Sequence, residues 1–260
     1  ADGFTNTTGG WAISTGYGSA PNQKLAFSRS GSVGGVQQTY GSITIPDNTW
    51  THIVVSVDFP NMTTNSSIKM YINGTEDTSL TDGIGYAFQE NSTYNTSIGG
   101  SWAGSAGRLF EGSIDQVRIF NKALDSTEVG TLYAETACVY TGTTQSHLFG
   151  CIANYNFDGD AKESMGVTAY DGTETNITYE FGRFGTAAVF NGSNSYITVP
   201  TLSGFTNYNF TMSFWFNSTS TAAQYFMDFR NPIYMEFGYD LGSGAYNNTY
   251  SFIIYTGSQY

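Results

Sequence analysis

Polar and apolar residues alternate along several short stretches of this chain, and that period of two constrains its fold more than any other feature. In Phe210–Phe216, apolar side chains occupy every second position, at Phe210, Met212, Phe214 and Phe216. Trp50–Phe59 alternates in the same way. Because successive side chains of a strand point to opposite faces, each stretch predicts a strand with one buried face. We therefore expect an all-β fold of antiparallel sheets packed face to face.

The composition is typical of short strands joined by tight turns. The 260 residues include 31 glycines, and the chain is 16% aromatic and 12% charged. Two Asn-Gly pairs, Asn73-Gly74 and Asn191-Gly192, each follow an apolar run. Because both residue types tolerate positive φ, each pair predicts a tight turn.

One short helix is also predicted. Asp125 is a suitable N-cap, and Glu128 three residues later completes an Asp version of the capping box. Leu124 and Val129 occupy the positions of a hydrophobic staple. We expect a helix over about Ser126–Ala134 that covers an edge or an end of the sheets.

The charge and the distribution of apolar residues argue against two classes of partner. With a net charge of −12 and no basic stripe, the surface would repel phosphates, so we expect no nucleic-acid binding. No segment approaches the roughly 18 apolar residues that a membrane helix needs, so we expect no membrane insertion.

Two runs resemble opposite ends of one kind of domain. Phe110–Tyr133 contains Gly-x-Ile-Asp-x-Val-Arg-Ile-Phe-Asn-x-Ala-Leu and then the capped helix, which resembles the closing signature of LamG-like jelly-roll domains in the concanavalin A-like lectin/glucanase superfamily. Gly182–Pro200 resembles an opening signature of the same domains. The resemblance implies a jelly-roll β-sandwich. The motif positions are Gly112, Ile114, Asp115, Val117, Arg118, Asp125, Glu128, Asn73, Gly74, Asn191 and Gly192.

The closing signature precedes the opening one, which implies a piece cut across two consecutive domains. Residues 1–135 would be the C-terminal portion of a first jelly roll, 136–151 a connector, and 152–260 the N-terminal portion of a second. Each portion alone would leave an inner face uncovered, so we expect the two to pair as one permuted sandwich. Gly16-Tyr17 also recurs as Gly238-Tyr239, so repeated segments near the two ends would compete for one strand position.

The glucanases of this superfamily carry alternating carboxylates on one strand, and this pattern is missing. The nearest pairs, Glu111/Asp115 and Glu236/Asp240, are four residues apart, about 13 Å along a strand. Retaining pairs need about 5 Å and inverting pairs about 6.5–9.5 Å. We therefore expect no enzymatic activity.

Asp115 is a special case within the closing motif. Strict alternation would place its carboxylate on the face of Val117 and Ile119, where an unpaired charge is costly. Either a bulge turns Asp115 away or the side chain is paired, with Arg118 or backbone N–H groups as partners.

Candidate ligand-binding residues are aromatic. Trp102 lies in a glycine-rich run with no neighbouring apolar stretch, so it is either a platform for a sugar or a cover for one end of the sandwich. Tyr17, Tyr86 and Tyr94 are weaker candidates. No His/Cys spacing indicates zinc, and we assign no cofactor.

Two further features stay open. Calcium is possible, because relatives bind it through loop Asp residues, but no ligand run is evident among Asp47, Asp58, Asp77 and Asp82. Cys138 and Cys151 flank the connector, and their spacing fits a disulfide and free thiols equally well.

The resemblance implies a non-enzymatic structural or adhesive module. The composition and the connector LYAETACVYTGTTQ are similar to tandem LamG-like repeats of marine phage tail-fibre or virion proteins. The expected setting is a virion fibre or an extracellular protein, and the expected partners are a glycan or cell-surface ligand and neighbouring repeats. The alternative is a carbohydrate-binding module of a secreted polysaccharide-active enzyme.

Overall fold

The computed structural model describes residues 9–14, 24–31, 35–58, 67–78, 96–99, 109–136, 149–203, 209–219, 226–229, 234–241 and 247–256. The strands are β1 (Gly9–Ser14), β2 (Lys24–Gly31), β3 (Gly35–Thr44), β4 (Thr51–Asp58), β5 (Ser67–Ile72), β6 (Thr75–Glu76), β7 (Thr96–Ile98), β8 (Glu111–Phe120), β9 (Cys151–Tyr155), β10 (Thr173–Thr175), β11 (Thr178–Phe181), β12 (Thr186–Asn191), β13 (Tyr196–Val199), β14 (Asn209–Asn217), β15 (Met227–Phe229), β16 (Tyr234–Leu241) and β17 (Asn247–Thr256). Helix α1 spans Ser126–Tyr133, and a 3₁₀ turn spans Thr168–Tyr170.

These strands form two sheets. The nine-stranded sheet has the order β10-β13-β7-β15-β16-β1-β17-β2-β3, and the eight-stranded sheet has the order β11-β12-β8-β14-β4-β5-β6, with β9 also paired to β8. The all-β prediction is confirmed. The pairings are antiparallel except for β1 with β16 and β17 with β2, which are parallel and were not expected.

Both portions of the chain contribute strands to both sheets. β14 lies between β4 and β8, in continuous register with β4 from Asn209↔Asp58 to Phe216↔Thr51. β7 lies between β13 and β15 in the other sheet. The chain therefore pairs within itself, whereas its origin from two consecutive domains stays a prediction.

The strands near the two ends of the chain lie side by side. β1 pairs with β16, β17 and β2, while β16 and β17 also pair with each other from Tyr234↔Tyr255 to Leu241↔Asn247. The sequence argument expected repeated segments to compete for one position. The β1–β2 and β16–β17 hairpins are both present and contact each other. Gly16-Tyr17 lies outside the described residues, so the competition stays a prediction.

The main core lies on the inner face of the eight-stranded sheet. The four alternating residues of β14, Phe210, Met212, Phe214 and Phe216, are all buried there. Ile53, Val55 and Val57 of β4 join them, as the alternation predicted. Burying one such side chain contributes about 1.5–3 kcal/mol, so this face supplies much of the driving force for folding.

Helix α1 covers the outer face of the same sheet. The Asp125 side chain accepts hydrogen bonds from the N–H groups of Thr127 and Glu128 (both 2.9 Å), and Glu128 accepts one from the N–H of Asp125 (3.0 Å). The expected capping box is therefore present. The helix buries Val129 and Leu132 in a second apolar cluster with Val54, Tyr71, Phe120, Leu124 and Cys151. The prediction that it covers an edge or end is wrong, because apolar residues on the outer face provide its docking surface.

The two Asn-Gly pairs form different kinds of turn. Asn73 and Gly74, at φ 51° and 75°, make the expected two-residue hairpin between β5 and β6. Asn191-Gly192 instead begins a connection between β12 in one sheet and β13 in the other. There the Asn191 Oδ1 atom accepts hydrogen bonds from the N–H groups of Ser193 and Asn194, which shapes a longer turn.

Candidate functional site

A β-bulge in β8 determines where Asp115 lies. Trp215 of β14 pairs with Asp115, but Ser213 pairs with Arg118, so two residues of β8 oppose one of β14. The extra residue is Gln116, at φ 53°. Because a bulge shifts the alternation by one position, Asp115 shares the outer face with Trp215, whereas Val117 and Ile119 face the core. Of the two alternatives drawn from the sequence, the bulge is present, and so is pairing with a backbone N–H group, that of Phe184.

The Asp115 carboxyl is completely buried and only partly paired. Its Oδ2 atom accepts a hydrogen bond from the N–H of Phe184 at 2.9 Å, and its Oδ1 atom has no hydrogen-bond partner among the described residues. Burial raises the pKa of Asp115 to about 7, and the nearby Phe184 N–H, Gln116 side chain and Arg183 N–H oppose that rise. Asp115 is therefore a structural acceptor that ionises near neutral pH.

Arg118 does not pair with Asp115. Its guanidinium donates to Glu135 at 2.7 Å, to the Asn154 side chain at 3.3 Å and to the Gln116 side chain at 3.1 Å. Arg118 is itself buried. This network connects the residues after α1 to β8 and β9. Arg118, the cation expected to pair with Asp115, is therefore bound to other residues.

A tight turn, Gly182–Gly185, lies over Trp215, and we call it the covering turn. Phe184 is buried, and its ring meets Trp215 edge-on with centroids 5.9 Å apart. The Arg183 guanidinium lies 4.5 Å from the centre of the Trp215 ring and 4.8 Å from that of Phe184. A Cβ atom on Gly182 would come within 2.7 Å of the Asp115 Oδ2 atom, so this position requires glycine. Asp115 and the covering turn are thus packed as one unit.

Trp215 belongs to an aromatic cluster on the outer face. Its ring centre lies 5.0 Å from that of His52 and 5.7 Å from that of Tyr133. Tyr133, at the end of α1, is 38% exposed, whereas Trp215 is 4% exposed. The cluster therefore reaches solvent mainly at Tyr133 and at Arg183.

His52 and Ser213 form a buried pair beside this cluster. The His52 Nε2 and Ser213 Oγ atoms are 2.8 Å apart, and both residues are about 1% exposed. Burial, with the charges of Arg118 and Arg183, lowers the pKa of His52 to about 3. A serine–histidine pair can act as nucleophile and base, but only when substrate can reach it and a third group orients the histidine. The His52 Nδ1 atom has no such partner among the described residues.

The two carboxylate pairs that were compared with the glucanase pattern, Glu111/Asp115 and Glu236/Asp240, lie in β8 and β16. Glu111 is exposed at the start of β8, while Asp115 is buried beyond it. Glu236 and Asp240 lie in β16, where the structure describes only the backbone.

Several acidic residues after β9 shape the backbone. Glu163 accepts hydrogen bonds from the N–H groups of Asn154, Met165 and Val167, at 2.9–3.0 Å. Asp158 accepts one from the N–H of Thr186 at 2.9 Å. These carboxylates hold the segment between β9 and β12 in place.

The described part of the chain contains no group of three or more His, Cys, Asp or Glu side chains that could hold a metal ion. Asp77 is buried and accepts a hydrogen bond from the N–H of Ile43 at 2.8 Å, while Asp47 and Asp58 are exposed. Asp82 lies outside the described residues, so calcium binding stays untested.

The predicted sugar-binding residues Trp102, Tyr17, Tyr86 and Tyr94 all lie outside the described residues. Cys138 does too, so the proposed disulfide stays a prediction. Cys151 is present as a buried thiol, 3.3 Å from the Ala153 carbonyl oxygen, and burial raises its pKa to about 12. That thiol is unreactive at neutral pH.

The sequence was compared with models of protein families, and one of them covers the closing motif. Residues 2–130 match the laminin G model described as the concanavalin A-like lectin/glucanases superfamily. The match includes β8 and the first turns of α1, and it agrees with the two packed sheets. The chain folds as an all-β sandwich of the concanavalin A-like type. No curated protein and no solved structure matches it.

Sequence reasoning missed the contacts that define the outer face. Alternation does place His52 and Ser213 away from the core, but only the register of β4 with β14 brings them together. The stacking of Arg183 on Trp215 joins residues from distant parts of the chain. The sequence signal that pointed toward it was the glycine pair around Arg183-Phe184 in the opening signature.

Proposed function

We propose that this chain is a non-enzymatic structural and adhesive module of a repetitive virion fibre or extracellular protein, and that it contributes to binding of a glycan or a surface. The laminin G match carries the proposal, because this superfamily comprises carbohydrate-binding and structural modules as well as glucanases. Residues 2–130 account for the match, and the remaining strands complete the same sheets.

The chemistry of the described residues supports a module without catalysis. Asp115, His52 and Ser213 are buried, and Glu163 is bound to backbone N–H groups. A glycosidase needs two accessible carboxyl groups on either side of the scissile bond. Three of the described carboxyls, Asp115, Glu163 and Asp158, instead accept hydrogen bonds from backbone N–H groups.

Binding is tested with the intact chain on an array of immobilised glycans. We expect retention on at least one glycan class and loss of that signal in Trp102→Ala, because an indole face stacks on sugar rings. Phe149→Ala is the matched control, since Phe149 is 77% exposed and contributes little to the core. Equal loss in both variants, or retention in both, would refute the role of Trp102.

The setting of the module is tested by extending the reading frame in both directions. Further copies of the closing and opening signatures, in alternating order, would support a repetitive fibre. An adjoining catalytic domain would instead support a carbohydrate-binding module attached to an enzyme.

A further inference from the structure

The covering turn is held over Trp215 by the Phe184 ring, the Arg183 guanidinium and a hydrogen bond to Asp115. It joins β11 to β12, and β11 is the four-residue edge strand of its sheet. Within the turn, the N–H of Gly182 donates to the Gly185 carbonyl at 3.1 Å. Between the turn and β8, the Phe184 N–H donates to Asp115. Asp115 is thus the polar anchor of the turn itself, while Asp158 holds the N–H of Thr186 directly after it at 2.9 Å.

We propose that the covering turn is a pH-responsive cap over Trp215, which Asp115 holds closed when its carboxyl is protonated and releases when the carboxyl is ionised. The closed state buries the Asp115 oxygens and leaves Oδ1 without a partner among the described residues. A neutral carboxyl tolerates this environment, whereas a buried carboxylate with an unpaired oxygen favours any motion that hydrates it.

The charged groups around Asp115 do not compensate its ionised form. Asp158, on the segment after β9, acts on Asp115 as a like charge. Arg183 on the turn lies over Trp215, Arg118 is bound to Glu135, and His52 on β4 is neutral above about pH 3. Ionisation therefore weakens the closed state.

The direction of the pH effect follows from the pKa values. The pKa of Asp115 is about 7 in the closed state, against an ordinary value of 3.8. A raised pKa means that the closed state is favoured fully below about pH 4 and loses that advantage as the pH rises through 7. The opening equilibrium should increase about tenfold per pH unit in this window and level off above it.

The test is hydrogen exchange of the β11–β12 segment as a function of pH, with each rate corrected for the intrinsic exchange rate. We expect protection of the Phe184 N–H to fall by a factor on the order of 10² to 10³ between about pH 4 and 8. Protection within α1 should stay constant over the same range, which distinguishes local opening from global unfolding. Constant protection of Phe184 would overturn the proposal.

Two variants locate the titrating group. Asp115→Asn should remove the pH dependence of the Phe184 N–H, and Asp158→Asn should move its midpoint to lower pH, because the like charge is gone. Asp125→Asn, at the cap of α1, is the matched control and should retain the wild-type profile. If Asp115→Asn does not fold, an unshifted midpoint in Asp158→Asn would still contradict the proposal.

Discussion

At the scale of single residues, the outer face of the eight-stranded sheet is a buried polar and aromatic layer. The His52–Ser213 pair lies within it, with its Nε2–Oγ distance of 2.8 Å. The sequence predicted that these side chains point away from the core, but alternation alone assigns them to solvent. The His52 ring instead lies against Tyr133, at the end of α1, and against Trp215, and no local pattern encodes those contacts.

The first residue-scale prediction concerns Ser213. Ser213→Ala removes the hydrogen-bond partner of Nε2 in the buried His52 ring, so we expect the free energy of unfolding to fall by about 1–3 kcal/mol. Chemical denaturation measures this change. Ser126→Ala, at an exposed position of α1, should change stability by less than about 0.5 kcal/mol. A Ser213 variant as stable as that control would show that the pair contributes nothing.

The second concerns two opposing titrations. The pKa of His52 is lowered to about 3 in the folded state, so its stabilising contribution is lost as the pH falls from about 6.5 toward 3. Asp115 has the opposite sign, since its pKa is raised to about 7 and its contribution is lost as the pH rises from about 4. Between about pH 4 and 6.5, the gain in stability with pH from His52 and the loss from Asp115 offset each other.

In Asp115→Asn, the change of stability with pH should therefore reflect the titration of His52 without the opposing contribution of Asp115. We expect the stability of this variant to rise with pH by about 1.4 kcal/mol per unit between pH 4 and 6.5, relative to the wild-type curve. Denaturation series at matched pH values measure the difference. Parallel curves for the two proteins would contradict the assignment of either group.

At the scale of elements, the strands and helix that carry local signals were predictable. The alternation of β4 and β14 and the capping box of α1 each use neighbouring residues only. The cost of a carboxylate beside Val117 and Ile119 pointed either to a bulge or to a paired carboxylate, but not to Gln116 as the bulged residue. The connection at Asn191-Gly192 was misassigned as an ordinary tight turn, because an Asn-Gly pair does not reveal whether the next strand joins the same sheet.

The element-scale prediction is the cost of losing the cap of α1. Asp125→Ala removes the acceptor for the N–H groups of Thr127 and Glu128, so we expect a loss of about 1 kcal/mol in unfolding free energy. Thr127→Ala, at an exposed position in the same turn, should be near neutral. An Asp125 variant indistinguishable from it would show that packing of Val129 and Leu132 alone determines the helix.

At the scale of the whole molecule, strands from the two portions of the chain share sheets. The order of the signatures led to the expectation of pairing, but it did not define which strands become neighbours. The contacts between the β1–β2 and β16–β17 hairpins, near the two ends of the chain, depend on long-range pairing that a single sequence does not rank. The described residues include no helix long and apolar enough to cross a membrane.

A disulfide tests the shared sheet directly. Asp58 and Asn209 are paired across β4 and β14, and both are exposed. We expect Asp58→Cys/Asn209→Cys to oxidise within one chain, because paired strand positions satisfy disulfide geometry. Peptide mass spectrometry identifies the bond. Asp58→Cys/Asn191→Cys, three strands apart in the same sheet, should not form an internal bond.

The central claim is that the chain binds a glycan without cleaving it. The most direct measurement incubates the intact chain with the glycans that it retains on an array and follows bound protein and newly formed reducing ends together. We expect retention with no increase in reducing ends. New reducing ends, or the absence of retention on every glycan class, would contradict the claim.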